Sequence, residues 1–232
     1  MEGSQMAGRM VEFPSNGSTA SGYLAVPPSG PAPGIVVIQE WWGLSDQIKR
    51  TADRFAEAGF AALVPDLYHG RVIGFHEPDE AQKAMMAMDE ARAAKELRGS
   101  VDYLLSSGEA RGEYVGAVGY CMGGGLAITL AANHDKVRAV VCFYGIPGEE
   151  TDLAKIPGSV LGHFGDHDDF ASPEAVHNLE QGLHAAGVPH TFYTYPGGHA
   201  FTNEDRPEVY NADADELSWQ RSLEFLNQQL NS

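Results

Sequence analysis

The feature that most constrains the fold is a glycine-rich turn between an apolar run and a helix-like segment. The apolar run 115–120 leads into Gly119-x-Cys121-x-Gly123, and the mostly apolar residues 126–132 follow. Small residues two places either side of Cys121 let the chain bend sharply, and glycine tolerates the dihedral angles that such a bend needs. This is the pattern of a strand–turn–helix nucleophile elbow, with cysteine where serine usually stands. The positive end of the following helix would favour the thiolate form of Cys121.

A glycine-rich turn around a buried, inert cysteine would give the same local pattern, so the rest of the chain must decide. Continuous apolar runs, typical of strands buried on both faces, alternate with helix-like segments. These runs lie at 34–39, 60–64, 137–143, 158–165 and 188–195. Asn16-Gly17 between two short alternating runs predicts an N-terminal hairpin. The alternation predicts an α/β fold with a mostly parallel central sheet and helices on both faces, in a single domain over residues 1–232.

Composition excludes several classes of partner. The chain has 32 acidic and 15 basic residues and a formal net charge of -17, which disfavours nucleic acid and anionic membrane. No run is long and apolar enough for a membrane helix, and residues 1–13 lack the apolar stretch of a signal peptide. Two cysteines, Cys121 and Cys142, do not make a disulfide framework. We therefore expect a cytoplasmic protein with reduced thiols.

Parallel sheets place their functional sites at the carboxyl ends of the strands. A cysteine nucleophile there needs a base, and the base needs a group that orients it. Of nine histidines, His199 is favoured because it lies in a loop directly after the last predicted strand. The preceding strand ends at an aspartate cluster, in which Asp168 is the preferred orienting acid, with Asp166 and Asp169 as alternatives. The order nucleophile, acid, histidine is that of the α/β-hydrolase fold.

The same aspartate cluster, together with His167, has residue types that bind metals. Side chains on adjacent loop residues point in different directions, so we expect no metal there. An oxyanion hole would need two main-chain N–H donors. Met122, directly after the cysteine, would supply one, and Trp41, after the strand at 35–38, would supply the other. Glu40 lies in the same aromatic loop, where burial would raise its pKa and suit it to proton exchange.

Taken together, these segments resemble the dienelactone hydrolase family, the carboxymethylenebutenolidase-like α/β hydrolases. The matching stretches are Gln-Glu-Trp-Trp-Gly at 39–43, Pro-Asp-Leu-Tyr at 65–68, Gly-Tyr-Cys-Met-Gly-Gly at 119–124, Phe-Tyr-Gly at 143–145, Gly-Asp-His-Asp at 165–168 and Gly-His at 198–199. They occur in the order of the family and cover the chain from about residue 20 onward. The resemblance implies a triad of Cys121, His199 and Asp168, with Glu40 pairing with the resting thiol, Trp41 and Met122 as oxyanion donors, and no cofactor.

The chain departs from the family at the groups that hold a substrate carboxylate. Dienelactone enzymes use two arginines, one soon after Pro-Asp-Leu-Tyr and one shortly after the histidine. Here Arg71 lies one place later than the first, and Asn203 occupies the second position, with Arg206 the nearest later arginine. Arg71 and Arg206 are candidate anion contacts, or alternatively surface salt-bridge partners. Tyr68 and Tyr144, in two of the matching stretches, are further candidate substrate contacts.

The resulting hypothesis is a hydrolase of lactones or activated esters that acts through a thioacyl-enzyme. Its partner would be a small-molecule ester or lactone, and we expect a monomer or a small homo-oligomer. Two alternatives stay open at this point. One is another cysteine-dependent esterase or thioesterase on the same fold, and the other is a non-catalytic ligand-binding protein that retains the fold.

Overall fold

One sheet runs through the computed structural model, which describes residues 8–15 and 17–231. Its eight strands are β1 (Arg9–Ser15), β2 (Ser18–Ala25), β3 (Ala32–Ile38), β4 (Ala61–Pro65), β5 (Ala110–Tyr120), β6 (Val137–Phe143), β7 (Ser159–Gly165) and β8 (His190–Tyr195). They lie in the order β1-β2-β4-β3-β5-β6-β7-β8, and of these eight β2 alone runs antiparallel to both of its neighbours. The predicted mostly parallel sheet of the α/β-hydrolase fold is confirmed.

Helices cover both faces of this sheet. They are α1 (Asp46–Glu57), α2 (Pro78–Met86), α3 (Glu90–Ser106), α4 (Met122–Ala132), α5 (Pro173–Ala185) and α6 (Ala212–Leu230). Alternate residues of each buried strand point to opposite faces, so Val36 belongs to the apolar cluster beneath α3, α4 and α5, whereas Ile35 belongs to the cluster beneath α1 and α6. Among the described helices, none is both long and apolar enough to cross a lipid bilayer.

The N-terminal hairpin is present, with Arg9 of β1 opposite Leu24 of β2 and Ser15 opposite Ser18. Of the two residues on which its prediction depended, Gly17 has a φ of 93°, a left-handed conformation that glycine adopts without strain. Asn16 lies outside the described residues, as do residues 1–7 of the segment in which no signal peptide was expected.

Helix ends follow the local signals in the sequence. Ser45 caps α1 by accepting a hydrogen bond from the N–H of Ile48 at 3.4 Å. The long helical pattern at 79–105 folds as two helices, because Asp89 interrupts it and caps α3 by accepting from the N–H of Arg92. This break turns α2 away from the sheet, where it packs instead on Trp42 and Ile73.

The strand β3 begins earlier than its apolar run suggests. Pro33 is part of the strand and lies opposite Arg111, and the register of the pair shifts directly after it. A proline removes one donor from the ladder and is tolerated at a strand start or a bulge. The Pro-rich segment at 27–33 suggests a linker, and its residues 27–31 do precede the strand, whereas Ala32 and Pro33 belong to it.

The topology brings the predicted site residues to one edge of the sheet. Glu40 follows β3, Cys121 follows β5, Asp168 follows β7 and His199 follows β8. Because these four strands are parallel, their carboxyl ends face the same side.

Candidate active site

Cys121 stands at the sharp turn between β5 and α4, with a φ of 56° and a ψ of -122°. A non-glycine residue with a positive φ is strained, and such strain is often found at functional sites. The turn is possible because its flanking residues lack side chains. A Cβ at Gly119 would overlap the carbonyl group of Gly123, and a Cβ at Gly123 would overlap the carbonyl oxygen of Ile38. The predicted elbow is therefore present, and Cys121 is its tip.

The strained turn presents Cys121 to a cavity of about 280 Å³ at the carboxyl edge of the sheet. The walls are largely aromatic, and they include Trp41, Trp42, Phe75 and Phe170 together with Glu40, His199 and Arg206. Cys121 is partly exposed, whereas the second cysteine, Cys142, is fully buried. Burial raises the pKa of Cys142 to about 12, and its thiol donates to the carbonyl oxygen of Gly145 at 3.2 Å. Cys142 is a core residue, as its apolar strand predicts.

His199 and Asp168 form a hydrogen-bonded pair beside the cysteine. The Nδ1 atom of His199 lies 2.8 Å from Oδ2 of Asp168, which leaves Nε2 as the ring nitrogen free for another partner. The other oxygen of Asp168 accepts from the N–H groups of Phe170 at 2.7 Å and Ala171 at 2.9 Å. Asp168 is thus held by the loop after β7 in the orientation that an imidazole partner needs.

The charges of this pair reinforce each other. Burial disfavours both charged forms, but hydrogen bonds from His199, Phe170 and Ala171 lower the pKa of Asp168. Burial likewise opposes the charging of His199, yet hydrogen bonds with Asp168 and with the Cys121 side chain raise its pKa to about 10. His199 therefore bonds to Asp168 beside Cys121 in the same cavity, and its cationic form is favoured at neutral pH.

Glu40 is buried, with 5% of its surface exposed, and its carboxylate has two donors. The hydroxyl of Tyr144 donates to Oε1 at 3.3 Å, and the amide of Asn203 donates to Oε2 at 2.9 Å. The family resemblance implied a pair between Glu40 and the Cys121 thiol. Within the described residues the two side chains line the same cavity but share no hydrogen bond, and the donors to Glu40 are Tyr144 and Asn203.

Opposing effects set the pKa of Glu40. Burial raises it, which is the largest effect, while His199, Asn203, Arg206 and Tyr144 each lower it. The net result is a pKa above the ordinary value for glutamate. The sequence predicted a raised pKa for Glu40 on the assumption that its side chain is buried, and the structure shows that it is buried.

Tyr144 supports Glu40 from an unusual backbone position. Its φ is 39°, and its hydroxyl lies 2.7 Å from that of Thr202 as well as near Glu40. Its ring meets the imidazole of His199 edge-on, with centroids 5.0 Å apart. Tyr144 was predicted to contact substrate, but it is 1% exposed, so the structure places it behind Glu40 and His199 and not on the cavity wall.

The two predicted oxyanion donors flank the cavity. Met122 is the first residue of α4, and Trp41 lies in the loop after β3 with its ring against Trp42 and Phe170, at centroid distances of 5.4 and 6.0 Å. Neither the N–H of Met122 nor that of Trp41 donates to another group within the part of the chain that the structure describes.

The three remaining substrate candidates fall in different places. Arg206 lines the cavity and lies over the ring of Trp42 at 5.6 Å, while its Nε donates to Glu208. Arg71 is half-exposed and forms a surface ion pair with Glu80 at 3.1 Å. Tyr68 donates its hydroxyl to the sulfur of Met122 at 3.8 Å, and burial together with the charge of Cys121 raises its pKa to about 12.

The alternatives for the orienting acid lie elsewhere. Asp166 accepts from the N–H of Gly197 at 2.9 Å and pairs with His167, which holds the loop after β7 to the loop after β8. Asp169 is exposed. In the described ranges no group of three or more histidine, cysteine or acidic side chains is arranged to hold a metal ion.

The sequence did not reveal the part that Asn203 plays. It stood out only as a departure from the family pattern, and it proves to be a buried donor to Glu40. Thr202 and Phe170 were also missed. Phe170 packs against the His199 ring at 4.9 Å although 68% of its surface is exposed, and no periodic pattern in a loop could have indicated such a contact.

Comparison with known proteins places this site in a family. The model of the dienelactone hydrolase family matches residues 20–230. The chain belongs to the dienelactone hydrolase family. It is 35% identical over 232 residues to the protein usf of Aquifex pyrophilus, covering 96% of this chain and 99% of that one. It is 30% identical over 221 residues to a carboxymethylenebutenolidase of Pseudomonas putida, covering 91% and 92% of the two chains.

A comparison with solved structures gives the same family. A dienelactone hydrolase-like promiscuous phosphotriesterase from metagenomic libraries superimposes with a TM-score of 0.85 at 26% identity, covering 96% of this chain and 98% of that one. As a member of this family, the protein is a hydrolase of the dienelactone hydrolase type. The family resemblance seen in the sequence motifs is confirmed.

Proposed function

We propose that this dienelactone hydrolase family member hydrolyses lactones or activated esters with Cys121 as nucleophile, His199 as acid and base, and Asp168 as the orienting acid. The observation that carries the proposal is the position of His199, which bonds to Asp168 at 2.8 Å and lines the same cavity as Cys121, whose side chain interacts with it. A base that is oriented by one group and bonded to the nucleophile is the arrangement that covalent catalysis requires.

The proposed reaction has two halves. The Cys121 thiolate attacks the carbonyl carbon, the C–O bond to the leaving alkoxide breaks, and the His199 imidazolium gives its proton to that alkoxide. His199 then takes a proton from water, the hydroxide attacks the thioacyl carbonyl, and the C–S bond breaks to restore the thiolate. The N–H groups of Met122 and Trp41 would stabilise the oxyanion in both halves, and one such donor is worth about 3 kcal/mol in other hydrolases.

Glu40 would act before the first half by taking the thiol proton when substrate enters, and would return it to the thiolate after the product acid has left. Burial raises the pKa of Glu40, which brings its basicity closer to that required for exchange with a thiol. We further propose a reducing compartment such as the cytoplasm, because Cys121 must remain a free thiol.

The preferred substrates follow from sulfur chemistry. A thiolate is a better leaving group than an alkoxide, so the tetrahedral intermediate expels sulfur unless the alkoxide is also a good leaving group. Activated esters and enol lactones meet this condition. Acyl thioesters meet it as well, so the experiment must also test the alternative that the protein is a thioesterase.

The deciding experiment compares wild type, Cys121→Ala and Cys142→Ala on p-nitrophenyl acetate, dihydrocoumarin and an acyl thioester. We expect Cys121→Ala to lower kcat by about 10³-fold or more and Cys142→Ala, the matched control, to change it little. A stable acyl adduct on Cys121 in a His199→Ala variant, seen by mass spectrometry, would support the thioacyl route. Wild-type turnover in Cys121→Ala would refute the proposal, and faster thioester than lactone hydrolysis would favour the thioesterase.

A further inference from the structure

A second concave surface borders the elbow on the far side of Met122. We name it the methionine groove. It lies between α2, α3 and α4, has a volume of about 640 Å³, and is lined mainly by apolar side chains, including Met85, Met88, Leu97, Leu126 and Ile146. Its volume is in the range of small-molecule sites. Two of the large apolar side chains that the described surface exposes, Met86 at 78% and Ile146 at 36%, are on its walls.

We propose that the methionine groove binds the acyl chain of the substrate, apolar along its length and ending in an oxygen acceptor such as a carboxylate. This inference rests on the proposed function, because it assigns the acyl side of the bond that Cys121 cleaves.

The first argument is continuity with the elbow. Met122 directly follows Cys121 in the chain, and its side chain lines the groove. Its sulfur is contacted by the hydroxyl of Tyr68, which lies close enough to Cys121 for the charge of that residue to act on it. Methionine has three rotatable side-chain bonds and adapts to irregular ligands. Rotation of Met122 away from Tyr68 would open the groove to a chain attached at Cys121.

The second argument is the charge of Arg98. Arg98 lines the groove, and its Nε atom is buried without a hydrogen-bond partner. Its guanidinium forms no ion pair with any residue that the structure describes. The acidic residues of the groove, Glu90 and Glu150, are exposed and do not bond to it. A buried donor without an acceptor is costly, so a ligand oxygen at this point would be favourable.

The third argument is length. Leu130 and Arg98 both line the groove and lie eight residues into α4 and α3, counted from Met122 and Glu90. Eight helical residues rise about 12 Å. An extended chain advances about 1.2 Å per bond, as an extended peptide does, so about ten bonds span this length of the groove. The half-ester of suberic acid has this reach.

The test measures kcat/KM for the p-nitrophenyl esters of acetate and octanoate and for the p-nitrophenyl half-ester of suberate. We expect wild type to prefer octanoate over acetate by about tenfold or more, as burial of methylene groups implies. Ala94→Trp fills the groove from an exposed helix position and should remove this preference while acetate turnover stays unchanged. Lys95→Trp, the next residue and not part of the groove wall, is the matched control.

A second pair of variants tests the role of Arg98. Arg98→Met should lower kcat/KM for the suberate half-ester by about tenfold and leave octanoate within about threefold, whereas Lys95→Met removes a charge from the same helix and should change neither. A wild-type preference for octanoate below tenfold, or an Ala94→Trp variant that loses acetate and octanoate equally, would overturn the proposal. An Ala94→Trp variant that changes the oligomeric mass in solution but leaves the ester preference unchanged would also overturn the proposal, because it would show that a second copy of the chain covers the groove.

Failure of the proposed function would look different. In that case wild type hydrolyses none of the three esters, and the groove is tested by calorimetric binding of suberate monomethyl ester. Binding that Ala94→Trp and Arg98→Met weaken, but the two Lys95 variants do not, would support the groove alone. Absence of binding would overturn it.

Discussion

Glu40 shows how a single carboxylate can be held between opposing effects. Its burial favours the protonated acid, and Asn203 and Tyr144 favour the ionised form by donating hydrogen bonds. The family pattern has an arginine at the position of Asn203. A neutral amide in place of a cation leaves Glu40 less stabilised as an anion, which would keep the carboxyl group poised to exchange a proton with the thiol.

The first prediction tests this balance with Asn203→Ala. The amide lowers the pKa of Glu40, so its removal raises that pKa, and the acid limb of the kcat/KM profile should move to higher pH. Activity should consequently fall more at pH 6 than at pH 8. Tyr144→Phe removes the longer hydrogen bond and should give a smaller shift in the same direction.

An exposed substitution provides the control for this prediction. Asn227→Ala removes a surface amide on α6 that donates to the main-chain carbonyl of Leu223 and should leave the profile in place. If Asn203→Ala lowers the rate equally at every pH, Asn203 supports the loop but does not tune Glu40.

The link between Glu40 and Asn203 could not be predicted from the sequence. The two residues are 163 positions apart, and each lies in a loop, where no apolar period reports which side chains meet. That Cys121, Asp168 and His199 meet was predictable because each lies within four residues of the end of a strand, and the parallel sheet brings those strand ends together. Tyr144 also follows such a run, but its left-handed backbone turns it inward, and that inversion is invisible in the sequence.

At the scale of elements, the turn between β5 and α4 carries the most stringent requirement. Its glycines are in contact with main-chain atoms, which cannot move aside as a flexible side chain can. The second prediction is that Gly123→Ala lowers the free energy of unfolding by about 3 kcal/mol or more and abolishes activity, because the added methyl group overlaps the carbonyl of Ile38. Denaturant unfolding would measure the change.

Gly182→Ala is the matched control for this prediction. Gly182 lies within α5, and the nearest atom to its added methyl would be the side-chain methyl of Leu153 at 2.9 Å, which can shift. Alanine also has a higher helix propensity than glycine, so this variant should be neutral or slightly more stable. Equal losses in the two variants would show that the elbow is not specially constrained.

The order and type of the elements were readable from apolar runs and turn residues, and the boundaries largely followed capping residues such as Ser45. The start of β3 was predicted too late because Pro33 suggests a linker, whereas the neighbouring strand β5 pairs with it through a register shift. The residues around the break between α2 and α3 mark it only weakly, since alanine and methionine favour helix on both sides of Asp89.

At the scale of the whole molecule, a buried histidine on one strand is hydrogen-bonded to a neighbouring strand and to a helix. His163 of β7 is fully buried, with Nδ1 2.8 Å from the hydroxyl of Tyr195 in β8 and Nε2 3.0 Å from that of Ser222 in α6. Burial and the nearby charge of Arg221 lower the pKa of His163 to about 3. The folded protein therefore holds this imidazole neutral.

The third prediction is a loss of stability in mild acid that depends on His163. The unfolded chain binds a proton at this residue below about pH 6.5 and the folded chain only near pH 3, so the free energy of unfolding should fall as pH falls between these values. His163→Gln retains polar groups but cannot take up the proton, so its stability should depend less steeply on pH there. Urea unfolding of both proteins from pH 7 to pH 4 measures this, and equal slopes would contradict it.

The position of Cys121 and His199 along the chain has a consequence for biosynthesis. The nucleophile lies near the middle of the polypeptide and its base near the end, on the loop after the last strand, so a nascent chain carries a strained elbow for some time without the imidazole that would activate it. Prematurely terminated products that stop before β8 would lack the complete triad. Such fragments should be inert toward cellular esters even if their first strands fold, and the catalyst would come into being only as synthesis finishes.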